Sequence, residues 1–339
     1  MKWISCLAVC LLLIASCDKG AKSITLLAWS EYVPQKVIDG FEKETGIKVH
    51  YDAIDNNEAL VQKLLSGASK YDVIQPSEYI IEQLAKLNKL AVLDHSKLPN
   101  LKNIGSQYMD MPHDRGNKYS VPYMTGTVGI VVNTEKVKEP IHGYRDLFHP
   151  KYTKRIVVLN DAREMVSWAL NCLGLDVNEI NPRSLAKAKP ILADWVRLIR
   201  VYDSDSPKTS LSNGDCDLGV VWSGEAAKLW EENQKFVYVL PEEGTHMFVD
   251  SLAIPVDAPD VDAAHQFINY CLRPEISKLI SDEFPYTNPN LQARKLLSQK
   301  QLDNPASYPK GEAKLGTFRD IGKASSDVDA LITNLKSQG

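Results

Sequence analysis

The sequence predicts an α/β protein of two lobes that share a cleft. Three observations lead there. Apolar strand-like runs alternate with amphipathic helical stretches from Ile24 to Leu87. The same alternation returns between Arg155 and Leu240. No internal repeat, low-complexity tract or long linker separates the halves, and 339 residues suffice for two domains of roughly 100–200 residues each.

The elements follow in order. Ile24 to Ala28 is an apolar strand. Pro34 suits a helix N-terminus, Val37, Ile38 and Phe41 share one face, and Gly46 stops the helix before a second strand, Ile47 to Tyr51. Asn57 is placed to cap a helix carrying Leu60, Val61, Leu64 and Leu65 on one face. Tyr71 to Gln75 is a third strand, turned by Pro76-Ser77 into a helix from Ile80 to Leu87. In the second half, strand Arg155 to Asn160 feeds a helix from about Asp161 to Leu173, stopped by Gly174. A helix from Leu185 to Val201 is expected to bend near Pro190. Strand Leu218 to Trp222, a helix near Glu225 to Glu232 and strand Phe236 to Leu240 complete the unit. Ser251 to Pro255 is a further apolar segment, followed by helices near Asp260 to Leu272, Leu291 to Leu297 and Asp327 to Lys336. Alternation of this kind gives largely parallel sheets with helices on both faces, which bind ligands beyond the carboxyl ends of the strands.

Composition narrows the function. The chain is 44% hydrophobic and 24% charged, with 39 basic against 43 acidic residues. That balance argues against nucleic acid, which needs clustered Lys and Arg. No Gly-x-Ser-x-Gly, His-Glu-x-x-His, Walker loop or Gly-x-Gly-x-x-Gly occurs, so no catalytic residues or cofactor are expected. His142 and His149 lack metal-ligand spacing, and Lys208 stands where a calcium loop begun by Asp203 and Asp205 needs glycine. Cys172, Cys216 and Cys271 are too widely spaced for a disulfide framework or a zinc site, with at most one pair among them, and Cys172 and Cys271, in apolar helical contexts, read as buried free thiols.

Strand ends carry aromatic and acidic residues together. Trp29-Ser30-Glu31-Tyr32 follows the first strand and Ser77-Glu78-Tyr79 the third. Asp161-Ala162-Arg163-Glu164 and Trp222-Ser223-Gly224 follow later strands, and Phe248-Val249-Asp250 precedes the Ser251 segment. Carboxylates beside aromatic faces suit an organic polycation. Each ammonium removed from water needs an anionic acceptor, and aromatic walls take the methylenes and attract the charge. Spacing alone also fits a capping box at Asp161-x-x-Glu164, a core position for Trp222 and Tyr79, and a solvated loop acid at Glu31. Asp250, placed before an apolar strand, requires a partner if buried.

The first residues form an export signal. Lys2 supplies a positive region, and Ile4 to Ala15 is apolar but shorter than the ~20 residues of a spanning helix. Ile14-Ala15-Ser16-Cys17 resembles the lipobox of bacterial lipoproteins. The resemblance implies cleavage of residues 1–16, acylation of Cys17 and attachment to a membrane. Asp18 after the cysteine favours the inner membrane under enterobacterial sorting.

Nearly the whole mature chain resembles the periplasmic polyamine-binding proteins of ABC transporters. The resemblance rests on Trp29 to Pro34, Phe41 to Val49, Tyr71 to Ile74, Pro76-Ser77, Tyr119 to Tyr123, Asp161 to Glu164, Trp222 to Gly224, Asp250 to Pro255 and Leu291 to Ser298. It implies a periplasmic-binding-protein fold of type II, each lobe a mixed, mostly parallel sheet flanked by helices, with ligand in the interlobe cleft. Residues 17–133 and 250–309 would form one lobe, and 134–249 and 310–339 the other. The ligand would be putrescine or spermidine and the partner a membrane permease. Trp29, Tyr32, Tyr79 and Trp222 would be aromatic walls, Ser30, Ser77 and Ser204 polar contacts, and Glu31, Asp161, Glu164 and Asp250 ammonium acceptors. Phe248 and Phe318 stand where the spermidine-specialised pattern has Trp and Gln. The competing readings are a receptor for an amino acid or ferric ion, and an extracytoplasmic hydrolase such as a two-carboxylate glycosidase.

Overall fold

Residues 22–30 and 32–338 are described by the structure, a computed structural model; Cys17 and Glu31 lie outside them. Strand β1 (Ser23–Trp29), helix α1 (Gln35–Thr45), β2 (Lys48–Ile54), α2 (Asn57–Ser66), β3 (Val73–Ile74) and α3 (Glu78–Lys86) realise the opening alternation. Helix α1 buries Val37, Ile38 and Phe41 and ends at Gly46, whose φ of 73° is left-handed. Glycine takes that conformation without a Cβ penalty. The cap of α2 is Asn56, whose side chain accepts from Ala59 N. Asn57, expected as the cap, is instead buried, and its amide is used elsewhere.

A 14-residue strand, β4 (Ser120–Asn133), comes next, buried along its whole length. Then follow α4 (Tyr144–Leu147), β5 (Ile156–Val158), α5 (Ala162–Cys172), α6 (Pro182–Leu198), β6 (Ile199–Tyr202), α7 (Pro207–Ser212), β7 (Leu218–Trp222), α8 (Ser223–Glu232) and β8 (Phe236–Val239). Helix α6 contains Pro190 yet stops at Leu198, because Ile199 and Val201 pair with β5 as strand residues. Strand β9 (Thr245–Ala253) leads to α9 (Val261–Cys271), α10 (Pro274–Glu283), α11 (Leu291–Arg294), α12 (Gln299–Leu302), β10 (Leu315–Gly316) and α13 (Ala324–Gln338).

The strands run in the order β2-β1-β3-β9-β4-β7-β5-β6, with β8 also on β4 and β10 on β9. Two mixed sheets share this path. In the first, β1 pairs in parallel with β2 and β3, while β9 pairs antiparallel with β3 and β4. In the second, β5 pairs in parallel with β6 and β7, while β4 pairs antiparallel with β7 and β8. Strand β4 belongs to both. Ser120 to Thr127 face β9, and Val128 to Asn133 face β7 and β8. A bulge between Pro122 and Met124 bends the first half.

Each sheet has its own core. The first packs Ile24, Leu26, Phe41 and Phe267 together, with Phe41 edge-on to Phe267. The second is built on Tyr144, Phe148, Trp168 and Trp195, with Phe148 stacked on Trp195 at 4.2 Å. Val328, Ile332 and Leu335 dock α13 onto that second core. Cys172, Cys216 and Cys271 are buried free thiols.

Gly129 sits where β4 joins the second sheet, and a Cβ there would overlap the Tyr238 ring. Overpacking of this kind costs about 1–3 kcal/mol. Gly129→Ala should therefore lower chemical-denaturation stability by about that much, read as a lower midpoint with an unchanged slope.

Candidate ligand-binding site

A cavity of about 900 Å³ lies between the two sheets, a size suited to a small molecule. It opens at strand carboxyl ends. Trp29, Ser30 and Tyr32 enter from the end of β1, Ser77 and Tyr79 from the turn into α3, Asp161 and Glu164 from the start of α5, and Trp222 from the end of β7. Phe248 and Asp250 project from one face of β9, two residues apart. Ser204 and Phe318 complete the set. The aromatic walls, polar contacts and acceptors named as candidate ligand contacts therefore all line one cavity, apart from Glu31, which lies outside the described residues.

The aromatic side chains form a continuous wall. Trp29 and Tyr32 have ring centroids 5.9 Å apart, and Tyr32 and Tyr286 5.4 Å. Phe248 bridges to the second sheet, 5.8 Å from Tyr286 and 5.6 Å edge-on to Trp222. Tyr286 was not foreseen, because its loop carries no periodic signal. Its ring packs so closely on Gly224 that a Cβ there would overlap it.

Buried acids face this wall. Asp250 is 2% exposed. Its Oδ1 accepts from Ser77 Oγ at 2.6 Å and its Oδ2 from the Tyr32 hydroxyl at 3.0 Å. Asn57 supports Ser77 and Tyr79 by donating to both hydroxyls, at 3.1 and 2.9 Å. Burial pushes the Asp250 carboxyl up to about 7, against the lowering effect of the Ser77 hydrogen bond. Burial, helped by the nearby Glu164 charge, likewise pushes Asp161 up to about 7. Asp161 Oδ1 also caps α5 by accepting from Glu164 N at 2.9 Å. The cap and the cavity position coexist, since a carboxylate has spare lone pairs. Neither acid is hydrogen-bonded to a cationic side chain among the described residues.

Glu164, expected as an ammonium acceptor, is already engaged. Its Oε1 lies 2.6 Å from His246 Nδ1, and its Oε2 accepts from Trp168 Nε1 at 3.3 Å. On the other side, His246 Nε2 lies 2.8 Å from Glu78 Oε1. His246 escaped the sequence reading, although it shares the alternating β9 face of Phe248 and Asp250, and Glu78 was noted at the end of the third strand without being assigned a role. Several polar atoms in the cavity walls are buried without a partner among the described residues: Trp29 Nε1, Ser204 Oγ, Tyr202 OH and Arg163 Nη1. Such groups cost about 1–3 kcal/mol each when left unpaired, so a polar ligand that reaches them gains affinity.

The chain is similar to known proteins over nearly its whole length. The model of the bacterial extracellular solute-binding protein family matches residues 36–309. The chain is 35% identical to the spermidine/putrescine-binding periplasmic protein 1 of Haemophilus influenzae, over 93% of this chain and 89% of that one. It is 32% identical to the putrescine-binding periplasmic protein PotF of Escherichia coli, over 94% and 92% of the two chains. Among solved structures, a putative spermidine/putrescine ABC transporter from Listeria monocytogenes superposes with a TM-score of 0.90 at 34% identity, covering 94% of this chain and all of that one.

The raised Asp250 carboxyl has a stability signature. Its folded value of about 7 lies above the ordinary 3.8, so the folded state holds this proton more tightly than the unfolded chain does. Stability from this group therefore falls as pH rises between those values. Asp250→Asn lacks the penalty. Without ligand, its stability relative to wild type should rise from pH 4 to pH 8 by on the order of 1–4 kcal/mol, measured by urea denaturation at each pH.

Proposed function

We propose, because this chain belongs to the bacterial extracellular solute-binding protein family, that it captures polyamines, putrescine or spermidine, and delivers them to the permease of an ABC importer. It is a binding protein that works outside the cytoplasm, and capture involves no catalytic step. One observation carries the choice of ligand: two carboxylates, the buried Asp250 and the half-buried Asp161, each pushed up to about 7, face a continuous aromatic wall. A buried carboxylate without a cation is costly, and an organic diammonium removes that cost at both acids at once.

In this reading Asp161 and Asp250, with Glu31, accept the ammonium groups. Trp29, Tyr32, Tyr79, Trp222, Phe248 and Tyr286 cover the methylenes and attract the charges, worth about 0.5–2 kcal/mol for each close contact. Ser30, Ser77 and Ser204 add polar contacts. The lobes comprise 17–133 with 250–309, and 134–249 with 310–339. They hinge on β4, β9 and the passage near Lys310. Ligand touches both lobes, so it binds the closed form better and shifts the population toward it. A lipid on Cys17 tethers the protein to the membrane, with Asp18 favouring the inner one, where the permease resides. Two or more acyl chains make such an anchor stable.

Two outcomes test this. Removing one partner of a buried charge pair costs about 2–5 kcal/mol. Asp250→Asn should thus weaken calorimetric putrescine binding at least tenfold, and unchanged affinity would remove Asp250 from the site. Cys17→Ala should move the protein from the membrane to the soluble fraction; persistent membrane association would point to another anchor.

A further inference from the structure

His246 lies at the start of β9, on the face that carries Phe248 and Asp250, and it is 4% exposed. Both of its ring nitrogens meet carboxylates: Nδ1 is 2.6 Å from Glu164 Oε1 and Nε2 is 2.8 Å from Glu78 Oε1. A carboxylate only accepts, and a neutral imidazole has a single N–H. Both contacts are hydrogen bonds only if the ring is an imidazolium. The two acids come from helices that follow strands of the two different sheets, Glu78 at the start of α3 after β3 and Glu164 in α5 after β5. Glu78 is held further by the backbone N–H groups of Phe318 and Val249, at 3.0 and 3.1 Å. The Phe318 ring lies flat on the imidazole, with centroids 3.7 Å apart and planes 12° apart. The Arg163 guanidinium sits 4.6 Å from the centre of the same Phe318 ring.

We propose that His246 is a built-in cation of the polyamine site. It takes the place of a ligand ammonium on Glu164 and, with Phe318 and Arg163, closes that end of the cavity to a third ammonium, so the site selects diamines over triamines. The inference rests on the polyamine reading above. It follows from charge count. Glu164 and Glu78 together share one imidazolium, and Phe318 offers no acceptor. A third ammonium there would be desolvated beside His246 and Arg163 with no free carboxylate to meet it. Burial alone would lower the His246 pKa, but the charges of Glu164 and Glu78 outweigh it and raise it to about 10. The other charged groups acting on this end are Asp161 and Asp250 across the cavity, Arg163 beside Phe318, and His113 near Glu78. His246 therefore stays charged over the working range.

Calorimetry with putrescine and spermidine tests the selectivity. Wild type should bind putrescine at least as tightly as spermidine. Glu78→Gln combined with His246→Leu frees Glu164, while the amide oxygen still accepts from one of the two backbone N–H groups, Phe318 on Oε1 or Val249 on Oε2. It should shift the affinity ratio at least tenfold toward spermidine. Spermidine binding more than tenfold tighter in wild type, or an unchanged ratio in the folded double variant, would overturn the proposal. Long-range proton–nitrogen NMR of the wild-type histidines provides a readout independent of ligand and of variant folding. His246 should show two protonated ring nitrogens from pH 6 to pH 8.5. A neutral ring with normal amine binding would overturn this inference alone, whereas wild type that binds neither amine would overturn the polyamine reading and the selectivity with it.

Discussion

The site depends on one constraint: carboxylates removed from water need a positive charge. Among the described residues, Asp250 has only neutral hydroxyl donors, Ser77 and Tyr32, and Asp161 only a backbone N–H. Burial holds both near the point where they take up protons. A proton is the weaker partner, because it removes the charge without filling the cavity or meeting its aromatic walls. A diammonium ligand supplies the charge, the apolar contact and the donors together. The same burial that strains the ligand-free protein is thus the source of its affinity.

The crossing strands place this local chemistry where the two sheets meet. Strand β4 passes from one sheet to the other within a single unbroken run, and β9 lies beside it. Asp250 and Phe248 sit on β9 itself, and His246 at its start joins an acid from α3 to one from α5. Charge added to or removed from the cavity therefore acts where the two sheets are joined. The Ser30 hydroxyl, which donates 3.3 Å to Asp205 Oδ1, shows how near the two rims approach each other.

Much of this was legible in the sequence, for identifiable reasons. Strand β7 runs from Leu218 to Trp222 as its apolar run predicts, and the strand-end aromatics converge in the cavity with Asp161, Glu164 and Asp250. What escaped was set by distant partners. Strand β4 was hidden because Pro122, Gly126 and Gly129 interrupt its pattern, although Pro122 falls at a bulge and both glycines make room for rings. Strand β3 shrinks to two residues because only Val73 and Ile74 find paired neighbours in the sheet. Asn57 looked like a cap, but tertiary contacts with Ser77 and Tyr79 claim it. The state of His246 depends on acids 168 and 82 residues away. No local pattern encodes that.

The most direct test of the account is the proton balance of binding. Putrescine titrated at pH 7 into wild type, by calorimetry in buffers of different ionisation enthalpy, reports protons exchanged per ligand bound. With two carboxyls half-protonated near pH 7 and both ionised in the complex, about one proton should be released, fewer at pH 8 and more at pH 6. Tight binding with no proton release across that range would contradict the claim that the buried carboxylates hold the ligand.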